Sequence, residues 1–138
     1  MDETEQFVGE VLPRLLDADR ALHNGDAAPR LAMWSQREPI TLFGAWFSDV
    51  GWHDVSRTFG VLASRLSDCE SFDIELVAAA AHGDLAYSIA YEHTTASVEG
   101  TPRTYTLRVT QIYRREDGVW KVVHRHGDEL ATPAATDR

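Results

Sequence analysis

The spacing of the apolar residues changes once along the chain, near residue 70, and that change restricts the folds open to it. Before it, apolar side chains recur every three or four residues, as on a helix face; after it they alternate, as on a half-buried strand. Helices followed by hairpin-linked strands give an α+β fold, with helices on one face of an antiparallel sheet. The 138 residues suffice for one domain, which we place at residues 1–130. A chain of this size buries roughly two-thirds of its unfolded surface and needs no metal or disulfide to hold its core.

The first helix is expected from Asp2 to Asn24, with Phe7, Val11, Leu15, Ala18 and Leu22 on one stripe. Asp2, Glu3 and Glu5 suit the positive end of its dipole, and Asn24-Gly25 is a stop signal; Pro13 predicts a kink or a later start. A short second helix is expected from Asp26, its N-cap, to Trp34. Pro39 to Phe43 reads as a strand and Gly44 to Gly51 as a loop. A third helix runs from Asp54, as cap, to Leu66, with Val55, Phe59, Leu62 and Leu66 on one face.

Four strands follow. The first is centred on Phe72 to Ala78. The second runs from Leu85 to about Ser97, with Leu85, Tyr87, Ile89, Tyr91 and His93 on one face. The third, Arg103 to Arg115, follows the turn Glu99-Gly-Thr-Pro102, and the fourth, Val119 to about Asp128, follows the strong hairpin signal Asp117-Gly118. The last three exceed the usual five or six residues, and long antiparallel strands twist and curl. A curled sheet with helices across its concave face encloses a pocket. Residues 131–138 are small and polar, and a disordered tail is expected.

Thirteen basic residues against 22 acidic ones leave a net charge of −9, which argues against nucleic-acid binding through clustered cations. No apolar run reaches membrane-spanning length, and the opening MDETEQF lacks the basic-then-apolar order of a signal peptide. The single cysteine, Cys69, excludes an internal disulfide and a cysteine-rich zinc site. A cytoplasmic protein is expected, with no membrane and no nucleic acid as partners.

The stretch Tyr105-Thr-Leu-Arg-Val-Thr-Gln-Ile-Tyr-Arg-Arg-Glu-Asp-Gly-Val-Trp-Lys-Val-Val-His-Arg-His126 resembles the last hairpin of SnoaL-like proteins. These belong to the nuclear transport factor 2-like superfamily, with the ketosteroid isomerases and polyketide cyclases. The pattern Asp-Gly-x-Trp-Lys-Val-Val-His-x-His is also similar to the end of the calcium/calmodulin-dependent kinase association domain. The order of elements fits over residues 3–128. The resemblance implies a cone-shaped, curved antiparallel sheet with three N-terminal helices on its concave face, a deep apolar pocket, and a homodimer through the outer sheet face. It does not single out an activity, since isomerases, cyclases, dehydratases and non-catalytic binders share the fold.

Several residues could carry chemistry. His124 and His126, two apart on a strand, share a face with Val122 and Trp120, and each imidazole titrates near neutrality. They are expected as base or proton relay; the plainer reading is a hydrogen-bonded pair shaping the sheet or the dimer interface. As metal ligands they would need His93 as a third, and no metal or other cofactor is expected. Tyr91 is a candidate oxyanion donor beside His93, and Asp49 a loop carboxylate that an apolar setting would make a base. Arg108 would hold an acidic group of a ligand, unless Glu92 or Glu75 pairs with it; Arg125 and Asp128 read as a rim ion pair. Trp34, Phe43, Trp46, Trp52 and Phe59 are expected to line a pocket for a small apolar molecule, or else simply to fill the core. Two functions fit this set. One is a cofactor-independent acid/base enzyme, of isomerase, cyclase or dehydratase type, on an apolar carbonyl or polyketide-like substrate. The other is a non-catalytic ligand-binding or self-association module.

Overall fold

A computed structural model describes residues 1–131; the tail expected at 131–138 lies, beyond its first residue, outside the described residues. Helix α1 spans Glu3–Leu22, and Asp2 caps it by accepting the Glu5 N–H at 2.8 Å. Pro13 does not break it: it sits on the solvent face, where water can take the Gly9 carbonyl that loses its donor. Helix α2 covers only Ala28–Ala32, and α3 covers Trp52–Arg65. Gly51, at φ 93°, begins α3, so Asp54 lies inside the first turn and is not its cap. Asp26 accepts the Ala28 N–H at 3.0 Å, one residue ahead of the Ala27 cap position of α2.

Six strands form one sheet: β1 Thr41–Phe43, β2 Ser48–Val50, β3 Leu66–His82, β4 Leu85–Val98, β5 Thr101–Glu116 and β6 Val119–Glu129. Their order is β2-β1-β6-β5-β4-β3. All neighbours are antiparallel except β1 and β6, which run parallel. Two expectations change here. The segment taken as a loop contains β2, and β3 begins directly at the end of α3. The sheet is curved but unclosed, with β2 and β3 as its edges. Register shifts in β3 and β6 mark bulges, which bend strands locally.

The core lies between the helices and the inner sheet face. Phe7 meets Tyr113 and Trp120 edge-on, with ring centroids 4.9 and 5.2 Å apart, and Val11, Leu15, Val55 and Val122 fill in around them. On β4 the inner residues are Ala86, Ser88, Ala90, Glu92, Thr94 and Ala96; the larger Leu85, Tyr87, Ile89 and Tyr91 point outward. Small inward side chains let α1 approach and leave room for a hollow towards the other end of the strands. Among the described residues, no helix is long and apolar enough to cross a membrane.

Candidate functional site

A hollow of about 300 Å³ opens between α1, α3, the β1–β2 turn and the inner faces of β4, β5 and β6. Its apolar wall includes Leu22, Leu42, Phe47, Phe59, Leu62 and Leu107. Its floor is ionic. Helix α1 supplies Asp19 and its C-cap residue is His23; α2 supplies Arg30, β4 Glu92, β5 Tyr105 and β6 Arg125. Such a polar group on an otherwise apolar cavity is the usual composition of a small-molecule site.

The floor groups are paired. Arg125 holds Glu92 bidentately, with both N···O distances 2.8 Å and both side chains almost wholly buried. Burial opposes the Glu92 charge, but the Arg125 guanidinium holds its carboxyl below the ordinary range. Arg30 donates to Asp19 and, at 3.2 Å, to the Gln111 side-chain oxygen, which also accepts from Arg125 at 3.2 Å. Burial, helped by the neighbouring Arg125 charge, lowers the Arg30 guanidinium to about 9. That guanidinium also lies 5.3 Å from the centre of the Phe59 ring. Gln111 in turn donates to the Tyr113 hydroxyl at 2.6 Å.

His23 is hydrogen-bonded through both ring nitrogens. Its Nδ1 lies 2.7 Å from the Asp19 carbonyl oxygen, and its Nε2 lies 2.9 Å from the Tyr105 hydroxyl. A carbonyl only accepts, so Nδ1 carries the proton; in the neutral ring Nε2 then accepts from the tyrosine. Burial lowers the imidazole from 6.5 to about 4; Glu92 opposes this shift and Arg125 adds to it. His23 is therefore neutral at pH 7, with its free lone pair aimed at Tyr105. Burial also raises the Tyr105 hydroxyl above its ordinary value.

The residues singled out from sequence divide between the two faces. Phe59 lines the hollow. Trp34 is buried behind it, with ring centroids 5.6 Å apart, and Trp52 packs half-buried against the core. Trp46 stands at the mouth, 93% exposed. Phe43 reaches the rim, but its ring meets His124 and His126 edge-on at 5.5 and 5.9 Å. Asp49 lies on β2 and accepts from the Thr58 hydroxyl.

His124, His126, Tyr91, His93 and Arg108 all lie on the outer sheet face, not in the hollow. A bulge is the reason for the histidines. Tyr113 pairs with Val122 and Ile112 with His124, so Val123 is an extra residue and the alternation of β6 inverts after it. Trp120 and Val122 point inward, then Arg125 does, and His124 and His126 turn outward. Arg125 therefore pairs with Glu92, and Asp128 pairs with Arg108 at 3.0 Å through two hydrogen bonds. His93 bonds Thr106 and Glu75, each at 2.9 Å, and Tyr91 stacks beside it. His124 bonds the Thr41 hydroxyl at 2.6 Å, and partial burial together with His126 lowers its pKa. Tyr91, Arg108 and His126 share a more open groove with Val77, Ile89 and Asp128. Among the described residues, no group of three or more His, Cys, Asp or Glu is placed to hold a metal ion.

Asp19, His23 and Arg30 escaped the sequence reading, although a signal was present. Asp19 and His23 are spaced by four and lie beside Leu15, Ala18 and Leu22, so they continue the buried stripe of α1. Polar residues on a buried stripe are the informative kind.

Comparison with known proteins bears on this geometry. A family model described as SnoaL-like domain matches residues 14–128. A comparison with curated protein sequences finds no match. Among solved structures, a candidate dehydratase of the nuclear transport factor 2-like family from Streptomyces avermitilis superposes with a TM-score of 0.73. It has 17% identity, covering 93% of this chain and 99% of that one. A ketosteroid isomerase-like protein from Erwinia carotovora atroseptica gives 0.72 at 14% identity, over 91% and 97%. A candidate calcium/calmodulin-dependent protein kinase type II association domain from Thiobacillus denitrificans gives 0.67 at 19%, over 85% and 88%. At these identities the likeness to the solved structures establishes the fold alone.

Proposed function

Since the chain belongs to the SnoaL-like domain family, we propose that it is a cofactor-independent acid/base enzyme acting on a small apolar carbonyl or polyketide-like molecule held in the hollow. The reaction would be an isomerisation, cyclisation or dehydration. The observation that carries this reading is His23, a neutral base whose Nε2 faces the Tyr105 hydroxyl in the cavity wall. A proton leaving the ligand is taken at the Tyr105 oxygen as the tyrosine's own proton moves to Nε2. His23 then becomes an imidazolium, which burial opposes, an effect the Glu92 carboxylate offsets only in part. The positive charges of Arg30 and Arg125 lie on the same floor, where an enolate oxygen developing on the ligand would be stabilised. Return of the proton to another ligand atom completes an isomerisation; its delivery to a leaving hydroxyl completes a dehydration.

The test is solvent-deuterium exchange into a panel of cyclic ketones, read by mass spectrometry. The wild type exchanges above the buffer rate, and His23→Gln and Tyr105→Phe lose about 10²-fold or more of that gain. His124→Ala, altered on the outer face, stays within about twofold. Absence of exchange with every ketone overturns the reading.

One observation favours the alternative of a non-catalytic binder: each ionic group of the floor already has a partner within the chain. Binding of the ketones without exchange would select it. We also propose a homodimer through the outer sheet face, where Val77, Leu85, Tyr87, Ile89 and Ile112 are exposed together with the outward histidines.

A further inference from the structure

Gln111 is buried on the inner face of β5, behind the floor of the hollow rather than in its wall. Its side-chain oxygen accepts from Arg30 and from Arg125, each at 3.2 Å. Its amide nitrogen donates to the Tyr113 hydroxyl at 2.6 Å, and that hydroxyl lies 2.8 Å from the Ser88 hydroxyl on β4. The amide fits only this way round. A guanidinium has donors and no acceptor, so a flipped Gln111 would turn its NH2 group towards two cations. Tyr113 thus fixes the orientation of an acceptor that two cations use.

The charges make this arrangement informative. Arg30 comes from α2 and Arg125 from β6, and the Arg125 charge adds to the lowering of the Arg30 guanidinium. Each cation has its own carboxylate, Asp19 for Arg30 and Glu92 for Arg125. Among the described residues, Gln111 is the acceptor that both share. A carboxylate in its place would accept the same two bonds, but it would cancel one positive charge. An uncharged amide holds the two like charges together and cancels neither. His23, which feels both Glu92 and Arg125, stays neutral beside them.

We infer that Gln111 is a positioning residue of the floor: through one uncharged oxygen it holds the Arg30 and Arg125 guanidinium groups in place without neutralising either. This rests on the proposed role of the floor in stabilising a developing anion. A negative charge at this position would favour the imidazolium form of His23 in the resting protein. Loss of the acceptor would leave two buried donors unsatisfied and let the two guanidinium groups move apart.

The experiment compares Gln111→Glu and Gln111→Met with the wild type. Histidine titrations are followed by NMR, with His23→Gln assigning the His23 signals. In Gln111→Glu, the His23 titration should move from about 4 to about 5 or higher. In Gln111→Met, kcat for ketone exchange should fall about tenfold, with KM changed less than about threefold. A support that is merely structural would lower stability in urea and leave the His23 titration where it was. That unmoved titration in Gln111→Glu would overturn the inference, as would wild-type exchange in Gln111→Met. Failure of Gln111→Glu to fold would overturn it too, because the carboxylate accepts from both cations with stronger attraction. If the wild type exchanges no ketone, the enzymatic reading falls, and the His23 titration in Gln111→Glu still decides whether Gln111 sets the charge of the floor.

Discussion

Acidification should weaken the fold through His23. In the folded chain its imidazole titrates near 4, whereas an exposed histidine titrates near 6.5. The cause is burial on the cavity wall, with Nδ1 fixed on the Asp19 carbonyl. As the pH falls below 6.5 the unfolded chain takes up this proton and the folded chain does not. The contribution is therefore whole above 6.5 and lost progressively as the pH approaches 4. The shift of 6.5 − 4 = 2.5 units corresponds to about 3 kcal/mol in full, of which about 2 kcal/mol is lost between pH 7 and pH 5. Glu92 adds little in that window, because Arg125 holds its carboxyl below the ordinary range. His124, also lowered, contributes in the same direction but is common to wild type and variant. In His23→Gln, the amide can donate to Asp19 and accept from Tyr105 without titrating. Urea unfolding of both proteins from pH 7 to pH 5 separates the effects. The wild type should lose about 2 kcal/mol more than the variant. Parallel pH dependences would refute the burial of a neutral imidazole.

Glu92→Gln leaves the Arg125 charge buried without its carboxylate, so urea unfolding at pH 7 should show a loss of about 3–5 kcal/mol. Replacing both partners, as Glu92→Leu with Arg125→Met, should recover most of that or exceed the wild type, because no unpaired charge remains. Ile89→Glu places a charge in the middle of the exposed apolar patch on the outer face; sedimentation should show the wild type as the proposed dimer and the variant as a monomer, with no loss of ketone exchange.

Apart from β2, which lies in a segment with no clean period, the elements were legible in the sequence because each has a regular period. The α1 stripe of Phe7, Val11, Leu15, Ala18 and Leu22 is buried as its spacing predicts, and the Asp117-Gly118 hairpin lies between β5 and β6. The site was less legible, for two physical reasons. On β4 the bulky residues Leu85, Tyr87, Ile89 and Tyr91 point outward, while the inner face carries Ala, Ser, Glu and Thr. Size and hydrophobicity there mark the outer face and not the hollow. On β6 the extra residue Val123 reverses the alternation, and nothing in the local sequence announces a bulge. One residue of slip exchanges His124 and His126 for Arg125. By contrast Asp19 and His23 needed no such correction; they were readable as polar members of the α1 stripe.

The most direct test is a crystal structure of the protein grown with 2-tetralone, a two-ring ketone. The account predicts one molecule in the hollow, its carbonyl oxygen within hydrogen-bond distance of the Tyr105 hydroxyl or the Arg125 guanidinium. Density for the ketone in the outer groove beside Tyr91, Arg108 and His126, with the hollow free of it, would contradict the account.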